Sequence, residues 1–590
     1  MPAGSPPRDL RFQVFAGPRP VDALARFTES SGRQPGAAAA WVFGPWFQPG
    51  GGIEEEVAQV EGLRRADAPL SVSQTYTHYL PCGSHLGRTE TERERTRRMH
   101  DLGVAVTTYF NPMVCVDLEP AFSDGVARGA FGTGDDGKPY VYKYLGSRIF
   151  EVAQVDFSSD IGVSYYGDRL SEAEANGYDG WMEDFGEYTP LDIDVADGAP
   201  GPVTHNRYPT QYHCGAFDFV ERADRPLVRF QRSGWTGAAP CAQVVWGGDP
   251  STAWGFDGLR SAVRRGLNMG LTGVALWGSD IGGFFALAAD PLSDELLMRW
   301  VQFGALSGVM RMQRNGASLS MVERPQVEDP DQIENWRRYT KLRTQLYPYL
   351  ANAAEVYQTT GTPLMRHHVI DYDDDLAAIS RDDQYLFGPD VLVAPVLEPG
   401  ARERSVYLPA GEWVDFWRSV ELDEESGGLV VGAVRMLAGE QTVVLPAPLD
   451  EIPLLVRAGA VLPLLSPDVD TLADYGEKQS GLVRLADRRD ILYLLAFPRA
   501  DWDGGFHHSG TIHSVVADDH WDLAIEAEAS TRFRLRASLA GMNDSFVPCE
   551  LTWDNQPLRE EDWTYDPQKR ILEAEFRGEA GSLVVRPCAG

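Results

Sequence analysis

Between residues 38 and 359 the sequence alternates short apolar runs with charged, helix-patterned stretches, and this alternation constrains the fold more tightly than any other feature. Ala40-Trp41-Val42-Phe43 reads as a strand, residues 54–65 as an amphipathic helix and residues 70–79 as a second strand. A helix dense in Glu and Arg follows at 88–102, and Val104 to Phe110 makes a third strand that stops at Asn111-Pro112. Strands separated by this much chain pair in parallel, because a parallel crossover needs a dozen or more residues. Further strands are predicted from Gly180 onward and at 227–231, 243–246, 273–277 and 308–311. Eight such units close into an α/β fold, a (β/α)8 TIM barrel whose site lies at the C-terminal ends of the strands.

The flanking chain departs from that rhythm. Residues 1–37 carry Pro and Gly around one short helical pattern at 21–28 and read as a linker segment. Residues 113–150 interrupt the barrel (38–359) with Gly-rich turns and the tyrosines Tyr140 and Tyr142, as a β-rich flap over a site would. Short apolar runs with turns between them predict a proximal antiparallel β-sandwich at 360–465 and a distal β domain in the same style at 466–590. Several cores are expected of 590 residues.

Charge and cysteine usage narrow the partners. Against 86 Asp and Glu stand 53 Lys and Arg, a formal charge of −33 whose field repels nucleic acid and anionic membrane. No run of about 18 apolar residues is present to span a bilayer. Cys82, Cys115, Cys214, Cys241, Cys549 and Cys588 form neither a Cys-x-x-Cys pair nor a zinc-type spacing with His, so no metal or cofactor is expected. They read as reduced thiols, and the opening residues have no apolar leader segment, so a cytoplasmic protein is the expectation. A homo-oligomer is left open.

Chemistry concentrates at three predicted strand ends. Gly180-Trp181-Met182-Glu183-Asp184-Phe185-Gly186-Glu187-Tyr188 packs three carboxylates among aromatic residues. Aromatic faces suit a sugar ring and carboxylates can attack an acetal, although a solvated acidic strand end has the same composition. The sixth strand ends in Val245-Trp246-Gly247-Gly248-Asp249-Pro250, where two Gly allow a tight turn that carries Asp249 over the mouth. The seventh ends in Gly278-Ser279-Asp280-Ile281-Gly282-Gly283-Phe284.

Trp-Met-x-Asp-Phe-Gly-Glu-Tyr resembles the nucleophile strand of glycoside hydrolase family 31, the retaining α-glycosidases, nearest the branch that includes the sulfoquinovosidases. The resemblance implies Asp184 as the nucleophile and Glu187 as a supporting carboxylate, with Trp181 among the substrate contacts. Arg232-Ser233 and Trp246-Gly247-Gly248-Asp249 are similar to the family's Arg-Ser/Ala and Trp-x-Gly-Asp pair. By that match Asp249 is the acid/base, and Arg232 and Trp246 touch substrate. The seventh strand resembles Ser/Ala-Asp-Ile-Gly/Cys-Gly-Phe/Tyr, which implies that Asp280 binds sugar hydroxyls and Phe284 lines the pocket. Spread over residues 10–465, the resemblance implies hydrolysis of terminal α-linked sugars through a covalent glycosyl–aspartate, with an oligosaccharide or glycoside as partner.

Departures from the family pattern bear on the substrate. Its sulfoquinovosidases hold a sulfonate with an Arg and a Trp of the second strand and a Tyr after the seventh. This chain has neither residue in 71–81 and has Phe284 after the seventh, so that substrate is not expected. Gln74 stands where the α-glucosidases carry an acid, and Gln313 where the family usually carries His, so an altered hydroxyl pattern is expected. Residues 1–37 resemble only the linker that follows the family's N-terminal β-sandwich. Two alternatives stay open, a transglycosidase and a non-catalytic carbohydrate-binding protein on the same barrel. A metal-dependent hydrolase is set aside because the adjacent pair His367-His368 lies past the barrel.

Overall fold

A computed structural model describes residues 12–145, 149–287, 290–319, 321–479, 481–543 and 545–588. Residues 1–11 of the expected linker therefore lie outside the described residues. Eight parallel strands form the barrel: β1 Pro45–Phe47, β2 Val72–His78, β3 Ala105–Phe110, β4 Gly180–Glu183, β5 Val228–Gln231, β6 Val244–Trp246, β7 and β8 Met310–Met312. β7 comes in two pieces, Trp277–Gly278 and Asp280–Ile281. The first piece pairs with β6 and the second with β8, so the sheet closes through a break at Ser279. Around it lie α2 Ile53–Arg65, α3 Thr89–Asp101, α5 Asp160–Ala175, α6 Gly201–Val220, α7 Leu259–Leu271, α8 Asp294–Ala305, α9 Ile333–Gln345 and α10 Tyr347–Thr360. α1 Pro20–Ser31 precedes the barrel, and α4 Ala121–Arg128 belongs to the excursion after β3.

Two strand expectations are corrected. Residues 40–43 form a 3-10 turn, and β1 begins only at Pro45. Trp41, Val42 and Phe43 are all buried, and a short apolar run buried on every side carries no period that separates a strand from a tight turn. The predicted seventh strand, 273–277, starts only at Trp277. Ahead of it the amides of Ala275 and Leu276 donate to Gln34 Oε1 at 2.6 and 2.9 Å, while Gln34 Nε2 donates to Ala242 O at 3.1 Å. A buried side-chain amide thus takes the place of ladder partners at the barrel floor.

The excursion is a three-stranded antiparallel sheet of Met113–Cys115, Ile149–Gln154 and Val141–Leu145 beside the mouth. Beyond α10 the chain is β-rich. A six-stranded sheet runs between Met365 and Arg457, and a nine-stranded sheet with its own core follows from Val461. The latter is not wholly antiparallel, because Ile491–Ala496 runs parallel to the Arg532–Ala537 half of the long strand Trp521–Ser538.

The free-thiol expectation is corrected outright. Cys82 pairs with Cys115, Cys214 with Cys241 and Cys549 with Cys588, at Cα separations of 5.0, 5.0 and 4.9 Å. The partners lie 27 to 39 residues apart in sequence, too far for a local spacing motif to reveal.

Candidate active site

The strand ends set the site. β4 begins at Gly180, where a Cβ would lie 1.7 Å from Val228 O, so only glycine lets β4 and β5 approach this closely. Along β4 the side chains alternate. Trp181 and Glu183 turn outward to α6, and Asp184 comes out over the barrel mouth. The chain then turns sharply: Phe185 sits at φ +62° and donates its N–H to Asp184 Oδ1 at 2.8 Å. A left-handed bulky residue costs roughly 1–2 kcal/mol and marks a constrained position.

Trp181 is therefore not a substrate contact. It is fully buried, packs edge-on to Phe110 and near Phe219, and donates Nε1–H to Glu183 Oε1 at 3.0 Å. The sequence shows an aromatic beside the carboxylates, and only the pleat shows that it faces the other way.

Arg232, just past β5, organises the mouth. Its Nε lies 3.0 Å from Asp184 Oδ1, its Nη2 2.8 Å from Glu187 Oε1 and its Nη1 3.3 Å from Asp249 Oδ2. One guanidinium thus gathers all three candidate carboxylates, and it also lies 4.9 Å from the Phe185 ring centre. These anions push Arg232 upward against its burial, so it is permanently charged. From β3, Tyr109 donates its hydroxyl to Asp184 Oδ2 at 2.7 Å. Burial and the neighbouring Asp184 carboxylate push that phenol well above its ordinary range, which keeps it a donor.

Asp249 differs from Asp184 in its surroundings. Burial and the Asp184 charge push its carboxyl up to about 6, and Arg232 restrains the rise. Glu187, half exposed, is pushed up by burial and pulled back by Arg232. A carboxyl that keeps its proton toward neutral pH is what the acid of such a pair requires.

Beneath them Arg311 of β8 forms the floor, with Phe230 and Trp246 ring centres 5.3 and 5.8 Å from its guanidinium carbon. It is ion-paired with Asp280 and donates to Gln74 Oε1 at 2.8 Å and Gln313 Oε1 at 3.1 Å. With the oxygen of Gln74 engaged, its buried Nε2 has no protein partner, and neither has Nε1 of the buried Trp246. Both are donors in need of an acceptor. The Tyr76 hydroxyl lies 3.3–3.4 Å from the Gln313 amide, and His78, pushed down to about 4 by burial, is neutral and stacks on Tyr109 at 3.9 Å. At the rim, half-buried Phe284 donates its amide to Pro250 O, next to Asp249. Arg324 reaches the same rim through the carbonyls of Gly283 and Gln313, and burial lowers it to about 10.

Sequence reasoning missed Tyr109, Arg311 and Tyr144 as parts of the site. Tyr109 stands one residue before the end of β3, which is a usable signal, whereas nothing around Arg311 in the sequence marks it for the mouth. Tyr144, whose ring lies 5.5 Å from Phe185, comes from the excursion, where no periodicity aims it at the mouth.

Residues 35–353 match the model of the glycosyl hydrolases family 31 TIM-barrel domain, and residues 361–462 match the family's C-terminal domain. The chain belongs to glycoside hydrolase family 31. A sulfoquinovosidase from Agrobacterium fabrum is 29% identical over 435 residues, covering 69% of this chain and 63% of that protein. The alpha-xylosidase XylQ of Lactiplantibacillus pentosus is 29% identical over 493 residues, 79% of this chain and 60% of its own. The chain thus spans less than two thirds of the length of either relative. A Flavobacterium johnsoniae GH31 dextranase complexed with glucose superposes with a TM-score of 0.80 at 18% identity, covering 97% of this chain and 73% of that one, and supports the fold. As a family 31 chain, it carries its candidate carboxylates just past the ends of β4 and β6, at the barrel face where such folds place their sites.

Proposed function

We propose that this chain is a retaining α-glycosidase in which Asp184 attacks the anomeric carbon and Asp249 protonates the departing oxygen. The observation that carries the reading is Arg232 touching both carboxylates, with Asp249 pushed up to about 6 by burial and the Asp184 charge. A retaining pair lies roughly 5–5.5 Å apart, which suits two groups sharing one guanidinium. Tyr109 and the Phe185 amide each hold one oxygen of Asp184, fixing its direction of attack. In the second half of the reaction Asp249, now a base, takes a proton from water, which opens the glycosyl–Asp184 ester. A sugar hydroxyl in place of water would give transglycosylation by the same steps.

The sugar is read as neutral. Arg232 and Arg311 are engaged by carboxylates, and the unpartnered donors Gln74 Nε2 and Trp246 Nε1 suit hydroxyl oxygens. A panel of aryl α-glycosides (glucoside, galactoside, xyloside, N-acetylgalactosaminide, sulfoquinovoside), with Asp184→Ala beside the wild type, tests this. Turnover of one neutral glycoside, abolished in the variant, is expected. Sulfoquinovoside turnover lost in Arg324→Ala would overturn the neutral reading, and a folded protein silent on every sugar would overturn the enzyme.

A further inference from the structure

Behind the nucleophile lies a buried polar chain that none of the steps above uses. Glu183, the residue before Asp184, is fully buried and accepts from Trp181 Nε1 on one oxygen and from Arg229 Nη1, at 2.5 Å, on the other. Its Oε2 also faces His213 Nδ1 of α6 at 2.8 Å. The other ring nitrogen, Nε2, lies 2.9 Å from Ser233 Oγ, and Ser233 Oγ donates to the carbonyl of Phe185 at 2.7 Å. Ser233 directly follows Arg232. The chain of contacts therefore leaves β4, crosses to α6 and returns onto the strained residue whose amide holds Asp184.

We propose that Glu183, His213 and Ser233 form a strut that positions the Asp184–Phe185 turn for attack, with the imidazolium form of His213 as its middle member. The proposal rests on the glycosidase reading for the word attack, but its geometry stands alone. Three contacts need three hydrogens. Ser233 supplies one, to a carbonyl that can only accept, and a neutral imidazole supplies one more. The third cannot come from Glu183, which burial disfavours as an anion but Arg229, His213 and Trp181 together hold below the usual carboxylate range. It therefore sits on the ring, so that Nδ1–H donates to Glu183 and Nε2–H to Ser233. Burial, the largest influence, and the Arg229 charge pull His213 below its ordinary value against the Glu183 carboxylate; the charged ring is therefore required by the contact geometry, in which both ring nitrogens face an acceptor, and not by the electrostatics. Facing this ring are Arg229 from β5, Tyr212 of its own helix at a ring separation of 4.3 Å, and Tyr166 of α5, which shares a 3.3 Å contact with the Tyr212 hydroxyl.

The strut differs from ordinary core packing in what its loss should do. Ser233 is half-buried and its hydroxyl touches one carbonyl, so Ser233→Ala removes the grip on the turn and very little volume. With the glycoside that wild type turns over, Ser233→Ala is expected to lose about tenfold in kcat, roughly one hydrogen bond of about 1.4 kcal/mol, with KM within about twofold and little change in Tm. Ser233→Thr, which keeps the oxygen, should retain most of the activity. Equal kcat in Ser233→Ala and wild type would overturn the strut. Separately, nitrogen NMR of protein labelled at histidine should find both His213 ring nitrogens protonated at neutral pH, and a singly protonated ring would overturn the strut as drawn. If no glycoside is turned over, the glycosidase reading falls by itself, and the NMR result still decides the strut.

Discussion

At the scale of single residues, the mouth works by giving chemically identical groups different surroundings. Asp249 holds its proton to about 6 because it is buried beside the Asp184 charge, so its acid form is present below that pH and lost above it. The sign follows for activity: kcat/KM should fall about tenfold per pH unit above about 6 as the acid is lost, measured as a pH–rate profile. The same raised value means that Asp249 adds stability below its unfolded value of about 3.9 and gives it up as pH rises through about 6. Asp184→Asn removes the like charge and should lower the Asp249 value, which carbon NMR of the carboxyl can read. Tyr109→Phe tests the other oxygen of Asp184. Losing a hydrogen bond to a charged group should lower kcat about 10- to 100-fold, about 1.5–3 kcal/mol, with no loss of fold.

At the scale of elements, β4 shows how much the sequence makes legible. Its inward end, Asp184, was readable because carboxylates and aromatics crowd a strand terminus. The outward set, Trp181 and Glu183, was readable only once the pleat and α6 fixed which side each residue faces. Trp181→Leu is accordingly expected to lower Tm by a core-truncation cost of about 3 kcal/mol while KM stays unchanged. A raised KM would return Trp181 to the pocket. Arg229→Leu leaves Glu183 buried with one cation fewer and should cost about 3–5 kcal/mol, read as a large fall in Tm. Eight strand–helix units follow from hydrophobic periodicity, but β7 does not keep to it. The Gln34 amide occupies Ala275 and Leu276, a contact made across about 240 residues that no local pattern encodes. The same holds for Arg311, whose sequence neighbours give no hint that it will lie between Phe230 and Trp246.

At the scale of the whole molecule, covalent and polar ties join parts that are distant in sequence. The three disulfides overturn the reduced-thiol premise on which the sequence reading rests. Denatured without reductant, the protein should show no titratable thiol, and six after reduction. The distal β chain is pinned to the barrel floor at Asp179, just before β4. This buried carboxylate accepts from Arg225 at 2.6 Å, from the Val106 amide at 2.7 Å and from the Tyr475 hydroxyl at 2.5 Å, and lies 2.8 Å from His100 Nε2. Tyr475 also stacks on His100 at 3.8 Å. Burial alone would raise Asp179, but His100, Arg225 and Tyr475 outweigh it and hold the group below its ordinary value. A depressed carboxylate lends stability above its unfolded value of about 3.9 and loses it as pH falls through the lower folded value. Tyr475→Phe keeps the stacked ring and deletes one donor to that anion, so it should cost about 1.5–3 kcal/mol at neutral pH. The cost should shrink only as pH falls below about 3.9 and through the depressed folded value, where the carboxylate that Tyr475 serves takes up its proton. Thermal unfolding of the two at pH values from 7 down to about 2 checks this, and a Tm difference that does not change over that range would show that Tyr475 acts by packing alone.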